Sequence, residues 1–338
     1  MKINGKKEKN YGIALLRIIL CFMVVLDHFY NERKQKKIVY LLYYHIPTFF
    51  LLSFYYTYHS FATFSITKIK LRFERLLVPY ICWSFISWIL NNIYFYIFKK
   101  KCKHSIYELL LHLLHAHFFI PALWFQNIII LTTLIISIII FMFKNDYLLI
   151  FQIIMILAYV FQYSGVNYIF FKKNFNWLYY NTYGRLVDTF PDSITGFFIA
   201  AFRISDKLKK HKLKIMIINF ITLLLVSKSH FDNNLLSFKY GGIRFNIAAI
   251  CIFFIFFYSL YDKNEKIKIK KFLDLISNYT AGIYFSHFLI GQSYIMKFFL
   301  GKKIETIFGS LIIYITSYLM CFILDKIIGN TKLKHLIK

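Results

Sequence analysis

Tyr11-Gly-Ile-Ala-Leu-Leu-Arg17-Ile-Ile-Leu-Cys21-Phe-Met-Val-Val-Leu-Asp27-His28-Phe-Tyr30 is the stretch around which the rest of the chain reads. About 20 residues of this apolarity are what a helix needs to cross the hydrocarbon core of a bilayer. Yet the run carries Arg17 near one end and the Asp27-His28 pair near the other. Ionisable groups within a span are costly, and they face a partner or a water-filled cavity rather than lipid. Arg17 and His28 are eleven residues apart. At helical spacing that is about three turns, so both lie on nearly the same face, about 16 Å apart along the axis. One helix face thus presents a fixed cation and, deeper in the membrane, a titratable imidazole.

Composition extends this reading to the whole chain. Of 338 residues, 59% are hydrophobic and 21% aromatic, against about 45–50% apolar in soluble domains. The apolar residues fall in blocks of spanning length, which predicts a polytopic membrane protein. A net charge of +27 first suggests nucleic acid. That partner is rejected, because the Lys and Arg residues sit in short clusters between apolar runs, the pattern of basic loops beside anionic lipid. The five cysteines are scattered, and Cys21, Cys82, Cys251 and Cys321 lie inside apolar runs. No spacing among them suggests a disulfide framework or a metal site. The first run has no small-residue cleavage site and is too long for a signal-peptide core, so it is expected to stay as a helix.

Hydropathy predicts an all-α bundle of about ten transmembrane helices, near 11–30, 40–60, 77–98, 123–143, 147–164, 187–203, 213–228, 243–261, 275–296 and 306–328. The sixth is the weakest, with Asp188 and Asp192 near its start and Gly196 within it, and could be a half-span. Lys2, Lys6, Lys7 and Lys9 place the N-terminus in the cytoplasm, and an even count returns the C-terminus there. The clusters at Lys68–Arg75, Arg203–Lys214 and Lys263–Lys271 then fall on the same side; those at Arg33–Lys37 and Lys99–Lys101 fall on the other, against the rule. Residues 1–338 read as a single membrane domain without a fused soluble one. Ser105 to Phe119 reads as an interfacial or re-entrant helix.

Several constellations could carry chemistry. A histidine in a span often does no more than bond a neighbouring carbonyl; Arg17 on the same face and Asp27 beside it weigh against that for His28. A neutral imidazole in a polar cavity suits a general base. Asp27 lies about 100° around the helix from His28 and is expected to pair with another helix. Arg72-Phe-Glu-Arg75 opens the third span with two guanidinium forks at i and i+3, suited to phosphate; basic residues at such a place also serve as simple anchors. His45-Ile-Pro47-Thr-Phe-Phe-Leu-Leu-Ser53 opens the second, and Ser53 is able to bond back to its own helix. His112, His115 and His117 lack a carboxylate or cysteine partner other than Glu108, so no metal is expected. Tyr284 and His287 sit one turn apart in the ninth span, suited to packing or to catalysis.

In this order, these stretches resemble the acyltransferase family 3 membrane proteins, which O-acetylate cell-surface polysaccharides and related envelope glycans. Arg17 and His28 fit the family's Arg/Lys, ten residues, His motif, and Arg72 and Arg75 its Arg-x-x-Arg motif. The His45 to Ser53 stretch, Arg75-Leu-Leu-Val-Pro79-Tyr-Ile-Cys-Trp-Ser84, Leu123-Trp124-Phe125 and Ser277-Asn-Tyr279 through His287 resemble further family segments. One departure stands out: where the family has Gly after the serine of the second span, this chain has Phe54. The resemblance implies acetyl-CoA as acyl donor, held by Arg17, Arg72 and Arg75. It implies a glycan or lipid-linked sugar as acceptor, with His28 and Asp27 in the catalytic role. His45, Ser53, Trp124, Tyr284 and His287 are then candidates for the substrate site. A flippase or transporter for a lipid-linked glycan would also place Arg, Asp and His within its spans, and a glycan polymerase is again many-spanned and basic. Transporters often show internal repeats, and none is seen here.

Overall fold

The computed structural model describes residues 2–3, 6–7, 10–29, 44–62, 65–99, 104–115, 123–163, 185–232, 243–260, 267–292, 306–329, 331 and 337. The Arg33–Lys37 cluster, His117 and residues 263–266 of the Lys263–Lys271 loop lie outside them. Apart from a short antiparallel pair, Lys2–Ile3 with Lys6–Lys7, the described elements are helices. They are α1 (Tyr11–Phe29), α2 (His45–Phe61), α3 (Ile66–Lys99), α4 (Ile106–His115), α5 (Leu123–Phe143) and α6 (Tyr147–Tyr163). After them come α7 (Arg185–Ala201), α8 (Lys212–Asp232), α9 (Ile243–Ser259), α10 (Ile267–Ser277), α11 (Thr280–Gln292) and α12 (Ile307–Ile328). A short helical turn joins α7 to α8, with Arg203 left-handed (φ 51°) at the reversal.

A helix occupies each of the ten predicted positions, with two differences. The third starts at Ile66 rather than near 77, because Lys68, Lys70 and Arg72 are good helix formers that hydropathy cannot see. Ser65 Oγ accepts from the Lys68 amide and marks its start. The ninth is broken at Asn278-Tyr279 into α10 and α11, and the Thr280 hydroxyl donates to the Ser277 carbonyl across the break. Tyr11–Phe29, Ile66–Ile93, Leu123–Phe143 and Ile307–Ile328 are long and apolar enough to cross a membrane, and two shorter helices, Tyr147–Val160 and Ile243–Ser259, are also apolar.

The first apolar run is central to the packing, for α1 touches α2, α9, α10, α11 and α12. α2 is held chiefly by α7. At their contact a Cβ on Gly196 would overlap the backbone carbonyl of Leu51. Gly196 thus permits the close approach of α2 and α7, and Phe54, which stands where the family has glycine, is fully buried. The doubtful sixth segment is therefore a 17-residue helix seated in the bundle. Its Asp192 is 2% exposed and accepts a 2.8 Å hydrogen bond from Asn246 Nδ2 on α9. Asn246 also bonds Thr195, so the carboxylate that weakens this segment's hydropathy is matched by a donor on the facing helix.

The expected helix within 105–119 is α4, with Leu109 and His112 buried and Tyr107, Leu110 and Leu114 exposed. Ser105 and Glu108 form a reciprocal capping box: the Ser105 hydroxyl accepts from the Glu108 amide and the Glu108 carboxylate from the Ser105 amide. Tyr80 donates to the His112 and Leu113 carbonyls, tying α4 to α3.

Candidate active site

α11 presents Thr280, Tyr284 and His287 at i, i+4 and i+7, which places them on one helical face, and that face meets α1. Arg17 Nη2 donates to Thr280 Oγ1 at 2.9 Å, and Cys21 Sγ donates to the Thr280 carbonyl at 3.3 Å. Further along, the rings of His28 and His287 lie with centroids 5.3 Å apart, tilted by 31°. Beyond them, a Cβ on Gly291 would overlap the Phe29 ring, so this glycine lets α11 close on α1. The two helices thus run in the same direction, with a guanidinium at one level and two imidazoles at another. Tyr279, just before α11, donates to Asp325 of α12 at 2.8 Å. The first turns of α1 and the last turn of α12 therefore share one end of the bundle.

Arg72 and Ser53 are brought together by the fold: Arg72 Nη2 donates to Ser53 Oγ at 2.6 Å. Arg72 Nε is buried with no hydrogen-bond partner among the described residues. Arg17 lies within electrostatic reach of Tyr56, which is at i+3 from Ser53 on α2. Arg17 and Arg72 therefore approach the same face of α2 from α1 and α3. Arg75 stands one turn from Arg72, exposed. A guanidinium carries five donors in a fixed fork, and this pair is suited to an anion of phosphate type.

The imidazole end is walled by aromatic rings. Phe125 packs on Phe50 (4.7 Å between centroids) and on Tyr284 (5.5 Å), and Tyr284 on His287 (6.0 Å). Phe288 meets His28 edge-on at 5.9 Å. His287 is fully buried, with Nδ1 3.1 Å from the Ile283 carbonyl. Trp124 lies under the guanidinium of Arg185, which is 4.1 Å from the ring centroid and within electrostatic reach of Tyr284. His45 is buried at the first turn of α2, and Asp27 is half-buried beside His28. His112 is buried in α4. Among the described residues no group of three or more His, Cys, Asp or Glu side chains gathers as metal ligands would.

Thr280 and Arg185 were not picked out by sequence reasoning. Thr280 is one residue from Tyr279 and carries no signal of its own. Arg185 opens a helix whose polar start reads as a loop; an arginine just ahead of a membrane-length segment with two aspartates was the available clue.

The model for the acyltransferase domain of type 3 matches residues 10–326, nearly the whole chain. The chain belongs to acyltransferase family 3. Comparison with curated proteins and with solved structures returns no match. The match runs from the start of α1 into the last turn of α12 and makes the protein a membrane acyltransferase. The stretches that resemble family 3 motifs are the ones the fold brings together: Arg17 and His28 along one face, Arg72 beside Ser53, and His287 beside His28.

Proposed function

We propose that this family 3 acyltransferase moves an acetyl group from acetyl-CoA to a sugar hydroxyl of a cell-surface polysaccharide or of its lipid-linked precursor. It would work as a multi-pass protein of the plasma membrane, with both termini cytoplasmic. The observation that carries the reading is the shared α1–α11 face, with Arg17 on Thr280 at one level and His28 beside His287 about 10 Å further along α11. That span suits a nucleotide thioester held by its phosphates at one end, with its pantetheine arm laid along the face. Arg17, Arg72 and Arg75 would bind the phosphates from the cytoplasmic side. The aromatic wall of Phe125, Tyr284 and Trp124 offers apolar ring faces to a sugar acceptor, with Ser53 and His45 as further contacts.

The chemistry asks little beyond orientation and a base, because a thioester is already activated. His28 takes the proton as the acceptor oxygen bonds the carbonyl carbon. The carbon–sulfur bond then breaks, and the proton passes to the departing thiolate, so none is gained or lost overall. Asp27, next to His28, serves to balance the imidazolium charge through the surrounding helices. No metal is required by this sequence of steps.

Purified protein in liposomes, given acetyl-CoA labelled in the acetyl group and the envelope polysaccharide of its own cells, should produce labelled glycan that loses the label to mild base. No transfer to any glycan, with lipid-linked sugar crossing the bilayer instead, would make the chain a transporter.

A further inference from the structure

The reading of His28 as base leaves His287 without a task, yet its surroundings define one. A carbonyl oxygen only accepts, so the contact to Ile283 fixes the hydrogen of neutral His287 on Nδ1. Nε2 is then a bare lone pair. It is buried, and among the described residues it has no hydrogen-bond partner. The side chain as a whole is 0% exposed. The rings packed on it are Phe29, Tyr284 and His28. Of these His28 alone has ring N–H donors. Two imidazoles joined by an N–H···N bond of about 3 Å have ring centres about 5 Å apart, and these are 5.3 Å apart.

We propose that His287 is a positioning residue for His28. Its Nε2 receives the N–H of the His28 nitrogen that faces away from the acceptor hydroxyl. This fixes the tautomer in which the other nitrogen of His28 is free to take a proton, and it gives the resulting imidazolium an acceptor in a site walled by aromatic rings. The chain of contacts runs from hydroxyl to His28, to His287, to the Ile283 carbonyl. His287 itself neither gains nor loses a proton. A backbone-anchored imidazole thus does for His28 what a carboxylate does in a Ser-His-Asp site.

The inference rests on His28 being the base, and the test separates the two. His287→Leu should lower kcat about 10- to 100-fold, part of what a positioned base contributes, with KM for acetyl-CoA and acceptor nearly unchanged. His287→Gln keeps an acceptor in its side-chain carbonyl and should recover most of the loss. In a His28→Ala background, adding His287→Leu should cost nothing further, because the partner through which it acts is gone. Equal losses in the Leu and Gln variants, a change confined to KM, or additive losses would each overturn the pairing. If His28→Ala keeps transfer, the base reading itself fails. If His28→Ala is inactive and His287→Leu runs at the parental rate, the base stands and only the pairing falls. Should the Leu variant not fold, nitrogen-15 spectra of the parental protein labelled at histidine decide. A bare Nε2 on His287 is expected, and a protonated one would refute the proposal.

Discussion

Arg72 Nη2 donates a 2.6 Å hydrogen bond to Ser53 Oγ, so the basic pair at the start of α3 is tied to the middle of α2 rather than left to anchor a loop. The bond engages one nitrogen of the fork. Nε remains buried without a partner among the described residues, a cost that a bound anion would remove.

Arg72→Ala should therefore weaken acetyl-CoA binding while membrane insertion persists, because loop lysines still set orientation. Arg72→Lys keeps the charge but loses the fork and should bind less tightly than the parent. Ser53→Ala should have a smaller effect, since the guanidinium keeps its charge. Calorimetric titration of the purified variants with acetyl-CoA measures all three. Parental affinity in Arg72→Ala would return the residue to an anchoring role.

His28→Ala and His28→Gln should both nearly abolish transfer, by about 10²–10⁴-fold, while acetyl-CoA binding is retained. Gln keeps much of the volume and a hydrogen-bond acceptor but has no basic nitrogen. Acetylation by the Gln variant at the parental rate would make His28 structural and move the search for the base to His287 or His45.

Gly196→Ala should destabilise the bundle by about 1–3 kcal/mol, the usual cost of forcing extra volume into a packed contact. The added carbon meets the Leu51 backbone carbonyl, which cannot swing aside as a side-chain tip can. Thermal unfolding in detergent reads this. An unchanged midpoint would mean that α2 and α7 separate more easily than their packing implies.

Asn246→Ala removes the donor to the buried Asp192 side chain and should cost about 1–3 kcal/mol, the range for leaving a buried acceptor unsatisfied. Asp192→Asn in the same background, which removes a group able to ionise where its donor is gone, should recover part of the loss. The same unfolding assay applies, and a double variant less stable than Asn246→Ala would contradict this account.

Reporter fusions at both termini should report a cytoplasmic location. The basic N-terminal segment motivates this, as does the sharing of one bundle end by the start of α1 and the end of α12. A C-terminal reporter on the opposite side from the N-terminal one would mean an odd number of crossings, and the first helix to re-examine would be α7.

The sequence by itself determined a helical membrane protein, the position of nearly every helix, and the family. Apolar runs of spanning length record the bilayer directly, and the Arg17–His28 spacing fixes a shared face by helical geometry alone. It erred where polar residues continue a helix beyond its apolar part, as at Ile66, because hydropathy measures transfer into lipid and not helix formation. It also took 275–296 for one helix, since a break at Asn278-Tyr279 alters no hydropathy window. Only the tertiary structure decided partners. Arg17 meets Thr280, 263 residues away, His28 meets His287, Asp192 meets Asn246, and Gly196 lies against the backbone of Leu51. Each of these depends on which face of one helix lies against which face of another. Within a membrane that choice is made by close packing and by the pairing of polar groups across helices, and neither leaves a period in the sequence.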